Sequence, residues 1–213
     1  MCAKLRDKLH ISQKTAKNSL LLHRFIYHLL AMNYIQTEIG GVWLIEPKVF
    51  SDERGYFMEA FKQDEFEANI GPVNFIQDNE SRSSFGVLRG LHYQKGEYSQ
   101  SKLVRVIKGK VLDIAVDLRQ SSPTFGKYIS VLLSEENKRQ FFIPRGFAHG
   151  FAVLSEEAIF TYKVDNKYAP QAEASIIYND ETLGIDWLLA ESQMLLSPKD
   201  KQGITFKDAV YFE

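Results

Sequence analysis

Residues 86–94 read GVLRGLHYQ, with Arg89 and His92 set among Val87, Leu88, Leu91 and Tyr93 and Gly90 between them. Further along, Lys102, Asp113, His149 and Tyr162 also interrupt apolar, strand-like runs. An unpaired buried charge is expensive, so such groups face solvent, pair with one another, or line a cavity. Together they offer proton chemistry. An imidazole gains and loses a proton near neutral pH, a phenol holds its proton, and arginine and lysine attract anions. Strict strand alternation puts Arg89 and His92, three apart, on opposite faces. A bulge at Gly90 would re-aim one of them.

Taken singly, each residue has an ordinary reading. His92 reads as a structural histidine, Lys102 as a strand-end lysine, and Tyr162 in IFTYKV as a core aromatic with its hydroxyl at the rim. Asp113 reads as the partner of a nearby lysine, and Asp200 in LSPKDKQG as a turn residue. A metal site built from His92, His149 and a carboxylate is the rival. A second histidine two places after His92 would share its face, but Gln94 stands there, and amides are poor ligands for zinc or iron.

The elements that must carry these groups are short strands. SKLVRVIKGKVLDIAVDLR is the clearest. Leu103, Arg105 and Ile107 point one way and Lys102, Val104 and Val106 the other. The return run puts Leu112, Ile114, Val116 and Leu118 on one face and Val111, Asp113, Ala115 and Asp117 on the other. Lys108-Gly109 between them suits a two-residue hairpin turn. KYISVLL, RQFFIP, HGFAVLS, AIFTYKV and EASIIYN follow, most of them separated by turn residues. This spacing predicts an all-β sandwich or barrel. Helical texture is confined to the first 31 residues, KQDEFEANIG, and a turn or two near the C-terminus.

The 213 residues are 45% hydrophobic and 13% aromatic, enough for one well-filled core. A formal charge of −1 gives no nucleic-acid signature. The balance is uneven: residues 1–31 hold six Lys/Arg against Asp7 alone, and the rest of the chain 20 basic against 26 acidic residues. The first 31 residues therefore read as a basic extension with a partial apolar stripe (Leu22, Ile26, Leu29), separate from a domain spanning 32–213. Cys2, the single cysteine, permits no internal disulfide and fits a reducing compartment. No run of eighteen apolar residues suggests a spanning helix.

Six collinear segments, PKVFSDERGYFMEAF, FIQDNESRSSFGVLRGLHYQ, SKLVRVIKGKVLDIAVDLRQSSPTFGKY, FFIPRGFAHGFAVLS, YNDETLGIDW and LSPKD, resemble the dTDP-4-dehydrorhamnose 3,5-epimerase family from about residue 32 onward. The resemblance implies a cupin-type β-barrel or jelly roll with short helices at its ends. It also implies a cytoplasmic isomerase that needs neither metal nor other cofactor. The substrate would be a dTDP-4-keto-6-deoxy sugar, inverted at C3 and C5 through an enolate.

Residue by residue, His92 matches the family's base, Asp200 the carboxylate beside it, and Tyr162 the proton donor. Lys102 matches a position that contacts the sugar, and its charge suits it to stabilise the enolate oxygen. Arg54, Glu59, Gln77, Asn79, Arg89, His149, Glu173 and Lys199 match substrate-binding positions. The resemblance further implies a homodimer in which Arg54 and Glu59 serve the neighbouring subunit's site. Two rivals share the scaffold: an epimerase or ketoisomerase acting on a single carbon, and a non-catalytic cupin that only binds a sugar nucleotide.

Overall fold

A computed structural model describes residues 32–213. The expected extension at 1–31 lies outside the described residues. The described residues form fourteen strands and one α-helix. One six-stranded sheet runs β1 (Asn33–Gln36), β2 (Trp43–Glu46), β10 (Gln140–Ile143), β7 (Lys102–Lys108), β12 (Glu157–Val164), β5 (Gln77–Ser84). The second runs β13 (Glu173–Ser175), β6 (Val87–Gln94), β11 (Phe147–Val153), β8 (Lys110–Asp117), β9 (Tyr128–Ser134). A short strand β14 (Leu195–Leu196) lies parallel to β6, and β3 (Val49–Asp52) with β4 (Gly55–Met58) forms a separate ribbon.

The alternation read from the sequence decides which side chains meet between the sheets. Val104 and Val106 of β7 join Val111 and Ala115 of β8, Phe151 of β11 and Phe160 of β12 in one buried cluster. Leu112, Ile114 and Val116, on the other face of β8, pack under Ile176, Leu183, Trp187 and Phe206 of the C-terminal segment. The second sheet is thus covered on both faces, which is why β11 is buried along its whole length. The outer face of the first sheet is closed at one end by α1 (Gln63–Asn69). Its Phe66 sits edge-on to Phe75 and Phe142, at centroid distances of 5.5 and 5.2 Å.

The hairpin expected at Lys108-Gly109 is not formed. β7 pairs with β10 and β12, and β8 pairs with β11 and β9, so the chain crosses from one sheet to the other at this point. Gly109 has φ +79°, and a Cβ there would fall 2.0 Å from the Glu157 carbonyl oxygen. Its positive φ turns a corner of the sandwich instead of closing a hairpin.

Candidate active site

β6 and β11 are out of step by one residue. His92 pairs with His149, and Arg89 with Phe151, so three steps on β6 match two on β11. This is a bulge, and it falls at Gly90. Gly90 has φ +142°, and a Cβ there would lie 2.5 Å from the α-carbon of Gly150. Arg89 and His92 consequently line the same cavity, one of about 560 Å³. The bulge also aims the Gly90 N–H at Asp200 Oδ1, 3.1 Å away.

His92 Nε2 lies 2.8 Å from Asp200 Oδ1. Asp200 arrives from far along the sequence. β14 is tied to β6 through Leu195 N–H donating to the Gly86 carbonyl at 2.7 Å, and the chain then turns so that Asp200 reaches under His92. Burial alone would raise the pKa of this carboxylate. Donors from His92, Ser197 and Gly90 outweigh burial and bring it down to about 2, so Asp200 is an anion at neutral pH.

A second imidazole–carboxylate pair lies deeper. His149 Nε2 is 2.9 and 3.1 Å from the two oxygens of Asp113, which β8 turns inward beside β11. Asp113 therefore pairs with a histidine and not with the lysine expected from the sequence alone. Nε2 donates to Asp113, so Nδ1 accepts from Lys102 Nζ at 3.4 Å. Burial lowers the His149 pKa against the opposing pull of Asp113, and raises that of Asp113 against His149. Lys102 is pushed down to about 8 by burial, with Asp113 and Glu173 opposing.

Tyr162 comes from β12 in the first sheet, with Val104 and Asn79 as register partners. Burial raises its pKa, with Arg89 opposing, so the phenol keeps its proton at neutral pH. Phe151 and Phe160, stacked at 4.3 Å, line the cavity with it. The second sheet therefore presents the imidazole of His92 and the first sheet the phenol of Tyr162 and the amine of Lys102, all to one cavity.

The binding residues expected from the resemblance divide into two groups. Arg89, His149 and Lys199 line the cavity. Arg89 Nε is 3.3 Å from Ser83 Oγ, and Lys199 forms an ion pair with Glu173, which also accepts from Tyr168 Oη at 2.9 Å. Gln77 and Asn79 lie on β5, joined by a 2.7 Å bond from Gln77 Nε2 to Asn79 Oδ1, and neither lines that cavity. Asn79 instead lines a second cavity of about 350 Å³ that shares Glu80 and Tyr162 with the first. Arg54 stands exposed at the turn of the β3–β4 ribbon, paired with Asp52, and Glu59 lies 3.5 Å from Lys62 Nζ. The structure of one chain does not bring these two to the cavity.

Sequence reasoning missed Ser197, which donates to Asp200, and the Phe151–Phe160 stack. The serine-x-x-aspartate spacing inside LSPKD was the available signal for Ser197. Gln94, which weakened the metal reading, serves the loops: its amide donates to the Tyr98 and Lys167 carbonyls and accepts from Ala169 N–H. Among the described residues no group of three or more His, Cys, Asp or Glu side chains is placed to hold a metal ion.

A jelly roll with an imidazole and a phenol on opposite walls of its interior defines a cupin-type scaffold whose groups suit proton transfer. The family model for dTDP-4-dehydrorhamnose 3,5-epimerase matches residues 36–208, and the chain belongs to that family. It is 56% identical over 182 residues to the dTDP-4-dehydrorhamnose 3,5-epimerase of Shigella flexneri, covering 85% of this chain and 99% of that one. A dTDP-6-deoxy-D-glucose-3,5-epimerase from Legionella pneumophila, solved with dTDP-4-keto-L-rhamnose, superposes with a TM-score of 0.81 at 52% identity, over 84% of this chain and 95% of that one. A 3'-monoepimerase from Streptomyces bikiniensis, solved as a double mutant with dTDP, is more distant: TM-score 0.74 and 32% identity, over 80% and 85% of the two chains.

Proposed function

We propose that the protein converts dTDP-4-dehydro-6-deoxy-D-glucose to dTDP-4-dehydro-L-rhamnose by inverting C3 and C5. The C4 ketone acidifies both carbons, because the carbanion delocalises onto oxygen as an enolate. His92, with Nε2 held by Asp200, takes the proton from carbon through Nδ1. Asp200 fixes the ring and stabilises the imidazolium, as a triad carboxylate does. Lys102 stabilises the enolate oxygen in a site partly shielded from water. Tyr162 returns a proton to the opposite face of the same carbon, and solvent restores both groups. The C–H bond broken and the C–H bond made balance, so no oxidant or reductant is consumed.

The observation that carries this reading is the placement of His92 and Tyr162 on opposing sheets across one cavity. The test is incubation with dTDP-4-keto-6-deoxyglucose in D₂O followed by NMR. Deuterium at both C3 and C5 is expected. Deuterium at one carbon alone would make it a single-site epimerase, and none at either carbon would leave a sugar-nucleotide-binding cupin.

The reading extends to assembly. Phe57 on the ribbon is 65% exposed and Arg54 has Asp52 as its ion-pair partner. An arm of this kind suits a homodimer in which Arg54 and Glu59 meet the nucleotide of the neighbouring subunit, with residues 32–213 as the catalytic domain. No helix of the described residues is long and apolar enough to cross a membrane, and a cytoplasmic site of action fits the soluble sugar-nucleotide substrate.

A further inference from the structure

We propose that Ser197 is a positioning residue for the His92–Asp200 pair, an inference that rests on the function above. Ser197 Oγ donates to Asp200 Oδ2 at 2.5 Å, while the Asp200 N–H donates back to Ser197 Oγ at 3.2 Å. The other oxygen, Oδ1, takes the Gly90 N–H at 3.1 Å and faces His92 Nε2 at 2.8 Å. Asp200 is 4% exposed, so few waters are at hand to replace a missing donor. A carboxylate held at one oxygen alone can still swing about its Cβ–Cγ bond. Ser197 pins the second oxygen, and the plane is then fixed with Oδ1 toward the imidazole. The serine hydroxyl also favours the anion, because hydrogen bonds to a charged acceptor are stronger than those between neutral groups.

The tight Ser197–Asp200 turn is itself secured. Lys201 N–H donates to the Ser197 carbonyl at 3.2 Å, and Lys199 pairs with Glu173 on β13. Removing the hydroxyl frees the carboxylate and the Asp200 N–H, while these two contacts still hold the turn.

Ser197→Ala is expected to lower kcat roughly tenfold to a hundredfold, the usual weight of a hydrogen bond to a buried charge, with KM within twofold of the parent. Ser197→Thr keeps the hydroxyl and should recover most of kcat. In proton–nitrogen NMR of the ligand-free protein, the imidazole resonance of His92 should shift in Ser197→Ala and stay at the parent position in Ser197→Thr. That readout needs no turnover, so it tests Ser197 even if the assigned reaction is wrong. An alanine variant with an unchanged resonance, or a threonine variant no better than alanine, would overturn the proposal.

Discussion

His92 and His149 sit opposite each other as register partners on β6 and β11, yet each is bound to a different carboxylate, Asp200 and Asp113. The two imidazoles have different surroundings. His92 is partly open to the cavity, whereas His149 is buried with its second nitrogen against Lys102. Burial keeps His149 neutral, so it can accept from the Lys102 ammonium without competing for its charge. Side by side on two strands, one ring opens onto the cavity and the other is enclosed.

Replacing His92 by alanine should therefore remove turnover and spare binding. A loss of about 10²–10⁴ in kcat is expected for a missing general base. Calorimetric titration with dTDP should give an affinity within a few-fold of the parent. An equal loss in both quantities would assign His92 to binding alone.

Tyr162→Phe separates removal of a proton from its return. His92 can still deprotonate the substrate and give the proton back to the same face. Deuterium should enter the substrate in D₂O while epimerised product falls by two orders of magnitude or so, the low end for a lost acid. Product formation at the parent rate would move the donor role to another residue.

Lys102 should trade stability for catalysis. Its folded pKa of about 8 lies below the unfolded value near ~10.4. Below pH 8 both states hold the proton and the fold bears the cost of a buried charge. Between about 8 and 10.4 the unfolded chain binds more protons, so stability rises with pH. Lys102→Met should then melt higher than the parent at pH 7, with the gap closing above pH 10. Its kcat should drop on the order of 10²–10³, as for a lost oxyanion donor. In the parent enzyme the alkaline limb of kcat should fall off near pH 8, and a flat profile to pH 10 would refute the assignment.

Asp200 gives the opposite sign. Its pKa is depressed to about 2, so its contribution to stability is present above the unfolded value near ~3.9 and is lost as pH falls through about 2. Denaturant melts of Asp200→Asn and parent should converge across that window. A gap that stays constant from pH 6 to pH 2 would contradict it.

If Arg54 serves a neighbouring subunit, two inactive variants should complement each other. Arg54→Ala and His92→Ala homodimers, unfolded together and refolded, would form mixed dimers carrying one intact site. Recovered activity on mixing is the expected result. Activity no greater than the sum of the separate variants would place Arg54 in its own chain's site or outside any site.

Much of this was legible residue by residue. The faces of β7 and β8 follow from alternation, because each side meets a different apolar layer. The crossing at Gly109 was not legible, since a positive φ suits a sheet corner as well as a hairpin. Gly90 could be read only as permission for a bulge. In the fold, Gly150 on the facing strand comes so close that it leaves no room for a Cβ at residue 90. The pairing of His92 with Asp200 crosses more than a hundred residues, and no local pattern announces it. It entered through resemblance, while the link from Ser197 to Asp200 had a local signal, the spacing inside LSPKD, that went unread.

The late arrival of Asp200, carried in behind β14, has a consequence for synthesis. β5 through β12 supply both walls of the cavity and His92 itself before the chain reaches β14. Until the strand at Leu195–Leu196 docks, that imidazole lacks Asp200, the carboxylate 2.8 Å from its Nε2. On the proposed roles, a chain with that segment undocked would hold its cavity and its imidazole but lack the carboxylate that orients the base.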